Sequence, residues 1–187
     1  RRCVEECVEG DREKKGYERI VSMDHVHMSD KEGTVAIGGY KYALVLCKIK
    51  EDYWDFVPCR TLDSDEAERI FIEFVGRFGM DFSVILVYCD GFGSLKKLCD
   101  RLKVSKRHPP PNIHHANSVI ERKIGVALEG IRAYLNTAFM PNCFWNFAGH
   151  CFAFNCMVAD DPKIQVEGVN CRYELATGES FRGNTFV

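Results

Sequence analysis

The sequence lacks any apolar run that is long enough to cross a membrane. Its longest apolar stretch, 143–158, is interrupted by Asn146, His150 and Asn155. Residues 1–15 are rich in charge and do not have the pattern of a signal peptide. We therefore expect an intracellular protein that makes no contact with a membrane.

The sequence also lacks an excess of charge of one sign. The formal net charge is −2 and the isoelectric point is about 6.3. This balance gives no indication of a nucleic-acid binder, so any contact with nucleic acid must come from local basic clusters. An acidic metal site would itself lower the total charge, so the balance does not exclude either function.

The sequence lacks the pattern of a disulfide-bonded protein, even though it has ten cysteines. Five of them lie in apolar stretches, which predicts buried, reduced thiols rather than a disulfide framework: Cys47, Cys89, Cys143, Cys151 and Cys156. Cys3 and Cys7 lie in a polar segment, with a spacing that is wider than zinc sites prefer. We interpret 1–16 as an N-terminal linker, or alternatively as the end of a zinc module in a longer polyprotein.

The order of predicted elements indicates an α/β fold. Alternating apolar and polar residues predict three antiparallel strands, and a helix capped by Asp63 or Ser64 follows them. A nearly continuous apolar run at 82–88 is typical of a central strand that is covered on both faces. Further on we expect a short helix, a short strand and two long helices, at 94–102, 103–105, 117–140 and 144–158. This order fits a five-stranded mixed sheet flanked by helices.

The polar tail, 160–187, is predicted to be a C-terminal extension. It has weak strand signals at 163–166 and 172–175.

Three carboxylates interrupt these apolar elements. Asp24 lies in the first strand, Asp90 ends the most apolar strand, and Glu121 lies early in the long helix. Carboxylates that meet in space repel one another unless cations bind between them, and hard oxygen ligands select Mg²⁺ or Mn²⁺. Two such ions can support phosphodiester displacement. The alternative is that these residues are turn formers and solvated helix residues, because the chain has 27 acidic side chains to choose from.

The sequence blocks around these carboxylates resemble those of the D,D,E integrase core. The blocks are Val21-Ser-Met-Asp24, Val87-Tyr-Cys-Asp90-Gly91 and Asn117-Ser-Val-Ile-Glu121, the last preceded by a proline-rich approach. Retroviruses and LTR retrotransposons share that core, and the third block is most similar to copia-type and gypsy-type elements. Downstream, the stretch from Met140 to Phe144-Trp145 is also similar.

The resemblance implies an RNase H-like catalytic core at 17–159. It implies that Asp24, Asp90 and Glu121 are catalytic ligands of two Mg²⁺ or Mn²⁺ ions. The implied activity processes the 3′ ends of element DNA and joins them to target DNA. The family also leads us to expect a homodimer or higher oligomer that acts in the nucleus or travels in a virus-like particle.

Basic residues near the predicted site are the candidate DNA contacts. Integrases grip DNA ends with basic side chains on the catalytic helix, so Arg122 and Lys123 are predicted to contact phosphates, together with Lys106 and Arg107. The alternative for each is an ordinary solvated surface. His25 and His27 are expected on the strand face opposite Asp24, so they are not predicted to share its metal.

The chain departs from the integrase pattern after the second carboxylate. Gly91-Phe-Gly-Ser94 stands where the family has Asn-Gly-x-Glu-Phe, and Asn117-Ser118 replaces Asn-Gly. These changes favour the alternative of a domesticated, non-catalytic DNA-binding protein derived from a transposon, whereas the intact carboxylates argue against it. A second alternative is a different RNase H-like nuclease that acts on RNA–DNA hybrids.

Overall fold

The computed structural model describes residues 19–28, 35–82, 85–89, 93–107 and 118–183. The strands in these ranges are β1 (Arg19–His27), β2 (Tyr42–Lys48), β3 (Tyr53–Cys59), β4 (Ile85–Cys89) and β5 (Ser105–Arg107). The helices are α1 (Ser64–Gly76), α2 (Gly93–Arg101), α3 (Ser118–Thr137), α4 (Trp145–Val158) and α5 (Arg172–Thr177), and a 3₁₀ turn at Asn142–Phe144 precedes α4.

The five strands form one mixed sheet in the order β3-β2-β1-β4-β5. β1, β2 and β3 pair antiparallel, and β4 pairs parallel with both β1 and β5. All five residues of β4 are buried, as its apolar run predicted. The predicted meander, mixed sheet and flanking helices are therefore confirmed.

Side chains alternate between two packed faces of the sheet. On one face, Tyr53 of β3 packs against Phe74 of α1. On the other face, Trp54 packs against Phe152 of α4. α3 packs on β1 and β2, while α4 packs on β3 and on α3. The three layers give a helix–sheet–helix sandwich around one large apolar core.

The contact between α3 and α4 is close because a glycine sits in it. A Cβ atom added to Gly130 would lie 2.2 Å from Cζ of Phe152, so a side chain at this position would collide with the ring. This approach brings the two helices together on the sheet face that carries Trp54.

The C-terminal segment corrects one prediction, because residues 172–175 belong to the helix α5 and 163–166 is not a strand. Cys171 is the N-cap residue of the helix, and Gly178 is its C-cap residue at a positive φ of 76°. The helix is docked on the sheet, since Nζ of the buried Lys48 donates to the backbone carbonyl of Ala176 at 3.2 Å. Local alternation suggested a strand, but this tertiary contact and the capping residues favour a helix.

The cysteines of the described ranges are all free thiols, and Cys3 and Cys7 lie outside those ranges. Cys47 and Cys89 are buried as predicted, but Cys151 is exposed because α4 turns that side to solvent. Burial raises the pKa of the Cys47 thiol to about 12, so this thiol stays protonated at neutral pH. None of the helices in the described ranges is both long enough and apolar enough to span a membrane.

Candidate active site

The candidate site lies where β1 and β4 run side by side. In this parallel pair Met23 is in register with Cys89. Asp24 follows Met23 in β1, and Asp90 follows Cys89 in the sequence. Asp90 itself lies outside the described residues. The parallel pairing thus brings together the two strand positions that immediately precede the predicted carboxylates.

Asp24 stands at the edge of a buried cross-strand row. On its other side it is in register with Val45 of β2, and Val45 is in register with Phe56 of β3. Val45 and Phe56 are fully buried, whereas Asp24 is half-buried. Oδ1 of Asp24 accepts a hydrogen bond of 2.8 Å from the backbone N–H of His25. The apolar row fixes the strand, and this hydrogen bond orients the carboxylate.

Helix α3 covers the sheet face that carries Asp24. Nζ of Lys123 in α3 lies 5.9 Å from the ring centroid of Trp54 in β3. Trp54 is in register with Cys47 of β2, and Cys47 is in register with Ser22 of β1. Residues two apart on a strand share a face, so Ser22, Asp24 and α3 lie on the same side of the sheet. His25 is one residue out of phase and projects from the opposite face.

Glu121 lies in the first turn of α3, on one flank of its buried stripe. Ile120 and Ala127 face the core, and Glu121 is exposed. Glu121 and Lys123 are two residues apart, so they project about 160° away from each other around the helix. Lys123 points to the turn between β2 and β3, where it pairs with Asp52. Glu121 is therefore on the flank of α3 that is turned away from the β2–β3 turn.

The comparisons with known proteins give the fold but no sequence family. No protein-family model matches the chain, and no curated protein does either. A chain of the simian T-cell lymphotropic virus intasome, solved with the PP2A regulatory subunit B56 gamma, matches with a TM-score of 0.61 at 11% identity. That match covers 90% of this chain, which spans 57% of the length of the intasome chain.

Two structures of the HTLV-2 integrase catalytic core domain in complex with magnesium also match. They are its trimeric and dimeric forms, and each has a TM-score of 0.56 at 13% identity. The matches cover 84% of this chain and 95% and 94% of those chains, respectively. The chain has the RNase H-like fold of retroviral integrase cores.

Within this integrase-core fold, the described residues include only two of the three predicted metal ligands, Asp24 and Glu121. No group of three or more His, Cys, Asp or Glu side chains is arranged to hold a metal within the described ranges. The strand end that leads to Asp90 and the first turn of α3, which carries Glu121, are both described. The metal site itself stays a prediction.

The four predicted DNA-binding residues differ in their surroundings. Arg122 and Arg107 are exposed, on α3 and at the end of β5. Lys106 pairs with Asp100. Lys123 pairs with Asp52 at 2.7 Å, and its side chain is only 15% exposed. A phosphate contact by Lys123 would have to compete with that ion pair, so DNA binding by these residues stays a prediction.

Sequence reasoning missed the ion-pair network around the β2–β3 turn. Arg172 of α5 pairs with Asp52, and it also pairs with Asp161 at 2.6 Å. Lys123 approaches the same Asp52 from α3. An acidic turn between two strands normally indicates a solvated loop, and nothing in the local sequence points to partners this far away along the chain.

Proposed function

We propose that this chain is the catalytic core of a retroelement-type integrase. In this proposal Asp24, Asp90 and Glu121 hold two Mg²⁺ ions, and the enzyme processes the 3′ ends of element DNA and joins them to target DNA in the nucleus. The shared fold supports the class of enzyme, and the HTLV-2 core domains that share it are described in complex with magnesium. The sequence blocks around the three carboxylates support the ligand assignment.

The observation that carries the proposal is the register of β1 against β4. Met23 and Cys89 are paired, and each precedes one of the predicted aspartates. Neighbouring strands are about 4.8 Å apart, so one further step of the same pairing would make the two carboxylates cross-strand neighbours. Two carboxylates at this separation favour a shared divalent cation, because otherwise their charges repel.

The proposed ligands suit such a site chemically. The three proposed ligands are all carboxylates, which are the donors that Mg²⁺ prefers. When bound, two Mg²⁺ ions would activate the attacking oxygen and stabilise the departing one. The protein contributes orientation, because the His25 N–H holds the Asp24 carboxylate and α3 carries Glu121 on the flank turned away from the β2–β3 turn. Arg122, beside Glu121, is a proposed phosphate contact.

We also propose that the chain self-associates through α4. Phe147 and Phe154 lie on one helical face, both are exposed, and the exposed Cys151 lies between them. The dimeric and trimeric HTLV-2 core domains show that proteins of this fold associate. Sedimentation velocity at micromolar concentration tests this proposal, and a monomer throughout the concentration series would contradict it.

A branched duplex that represents the joined product tests the proposed function without knowledge of the element's ends. The reverse reaction passes through the same transition state, so an integrase core should resolve this duplex when Mg²⁺ or Mn²⁺ is added. Glu121→Gln keeps the side-chain volume but loses a charged ligand, and we expect it to reduce the rate at least about a hundredfold.

The same assay separates the competing functions. A domesticated DNA-binding protein would bind the branched duplex without resolving it in either metal. An RNase H-like nuclease that acts on RNA–DNA hybrids would cut such a hybrid at a higher rate than the branched duplex. Either result would contradict the proposed integrase activity.

A further inference from the structure

The Asp52 carboxylate joins three elements that are distant along the chain. It lies in the turn between β2 and β3, and its Oδ1 accepts a charged hydrogen bond of 2.7 Å from Nζ of Lys123 in α3. Its Oδ2 pairs with the guanidinium of Arg172 at the start of α5. A single carboxylate with two cationic partners connects α3 and α5 to the edge of the sheet.

Asp52 is held in place by its own turn and by Arg172. Its φ of 52° is in the left-handed region, and its N–H donates to the carbonyl of Ile49 at 3.3 Å. Arg172 donates a second bond of 3.2 Å to the backbone carbonyl of Asp52 and pairs with Asp161 on its other side. Lys123 therefore binds to a carboxylate that the turn and Arg172 already hold in position.

The Lys123 contact is a directional constraint on the rotation of the first turns of α3 about the helix axis. The buried residues of these turns, such as Ile120, make apolar contacts that have no direction, whereas the close contact of Gly130 with Phe152 lies further along the helix. The bond from Lys123 to Asp52 is directional and lies on the flank opposite Glu121. A roll that breaks this bond would move Glu121, two residues earlier, by a similar angle around the axis.

We propose that Asp52 is a positioning residue for Glu121. By holding Lys123 it fixes the rotation of α3, so that the Glu121 carboxylate faces β1 and β4. This inference rests on the proposed function, in which Glu121 is a metal ligand. It gives Lys123 a structural role in place of direct contact with DNA.

Mn²⁺ binding measured by calorimetry on the whole chain tests the proposal independently of catalysis. Asp52→Asn removes the charge, and Asn tolerates the left-handed backbone of this turn. Lys123→Met removes the other charge and keeps an apolar stem over Trp54. We expect each variant to bind Mn²⁺ about tenfold more weakly, as is usual when an outer partner of a metal ligand is lost. The double variant should be no weaker than the weaker single variant, because both substitutions remove the Lys123–Asp52 pair on which the positioning depends.

Two controls separate positioning from general stability. Asp52→Glu keeps the charge and should recover part of the affinity. Asp65→Asn removes an ion pair of the same 2.7 Å length, with Arg101, on the other side of the sheet and should bind Mn²⁺ like the wild type. A fall in melting temperature without a change in Mn²⁺ affinity for both Asp52→Asn and Lys123→Met would overturn the proposal.

The wild type and Glu121→Gln distinguish this inference from the function on which it rests. If Glu121→Gln weakens Mn²⁺ binding but Asp52→Asn and Lys123→Met do not, the positioning role is wrong and the metal site stands. If Glu121→Gln binds Mn²⁺ as the wild type does, Glu121 is not a ligand and both proposals fail.

Discussion

Replacing Asp24 with Asn is expected to reduce metal-dependent resolution of a branched duplex by about a thousandfold. The substitution keeps the size of the side chain and can keep the hydrogen bond from the His25 N–H. It removes one negative charge from the proposed site for two metal ions. Losing several kcal/mol of transition-state stabilisation, of the order that a metal ligand supplies, corresponds to a rate loss of this size.

The same variant should fold as well as the wild type when no metal is present. Asp24 is half-buried at the edge of the row formed with Val45 and Phe56, so the amide fits where the carboxylate was. Removing one of several mutually repelling carboxylates does not weaken the metal-free protein. Asp65→Asn, on an exposed surface pair, should retain full activity and serves as the control. An Asp24→Asn protein that is folded and resolves the duplex at the wild-type rate would contradict the assignment.

Replacing Phe56 with Ala is expected to reduce the free energy of unfolding by about 3–5 kcal/mol. The ring is fully buried where β3, α3 and α4 meet. It packs edge-on against Trp145, with ring centroids 6.2 Å apart. It also fills the space that Gly149 leaves open, because a Cβ atom at that position would lie 2.5 Å from Cε1 of Phe56. Removing the ring would leave a cavity into which the surrounding side chains relax only partially.

Urea denaturation followed by circular dichroism measures this effect. The urea concentration at the midpoint of unfolding should fall. The slope of the unfolding free energy against urea concentration should stay constant, since the surface exposed on unfolding changes little. Phe139→Ala is the matched control, because Phe139 is 95% exposed and the same substitution should change stability by under about 0.5 kcal/mol. A loss below about 1 kcal/mol for Phe56→Ala would contradict the close packing of this ring against Trp145 and Gly149.

The sequence was sufficient to predict the parts of the fold that depend on local pattern. The apolar run of β4 predicted a central strand, and the pattern of β1 predicted that Asp24 and His25 project from opposite faces. The apolar spacing of α3 predicted its length within a few residues, and Asp63 was among the predicted caps of α1. These features follow from side-chain periodicity and backbone capping, which neighbouring residues determine.

Features that depend on distant contacts were not predictable in this way. The segment 172–175 alternates like a strand, but it is helical because α5 is capped by its flanking residues and docked by Lys48. The partners of Asp52 are also distant, since Arg172 lies 120 residues further along the chain. For the same reason Lys123 was interpreted as a solvated or DNA-binding lysine, although its charge is engaged with the β2–β3 turn. Pairings of this kind are decided by tertiary packing alone.

Anomalous diffraction from crystals grown with Mn²⁺ tests the central claim most directly. The proposed site predicts two anomalous peaks about 4 Å apart, bounded by the carboxylates of Asp24, Asp90 and Glu121. A map without an anomalous peak between Asp24 and Glu121, in crystals that contain saturating Mn²⁺, would contradict the account.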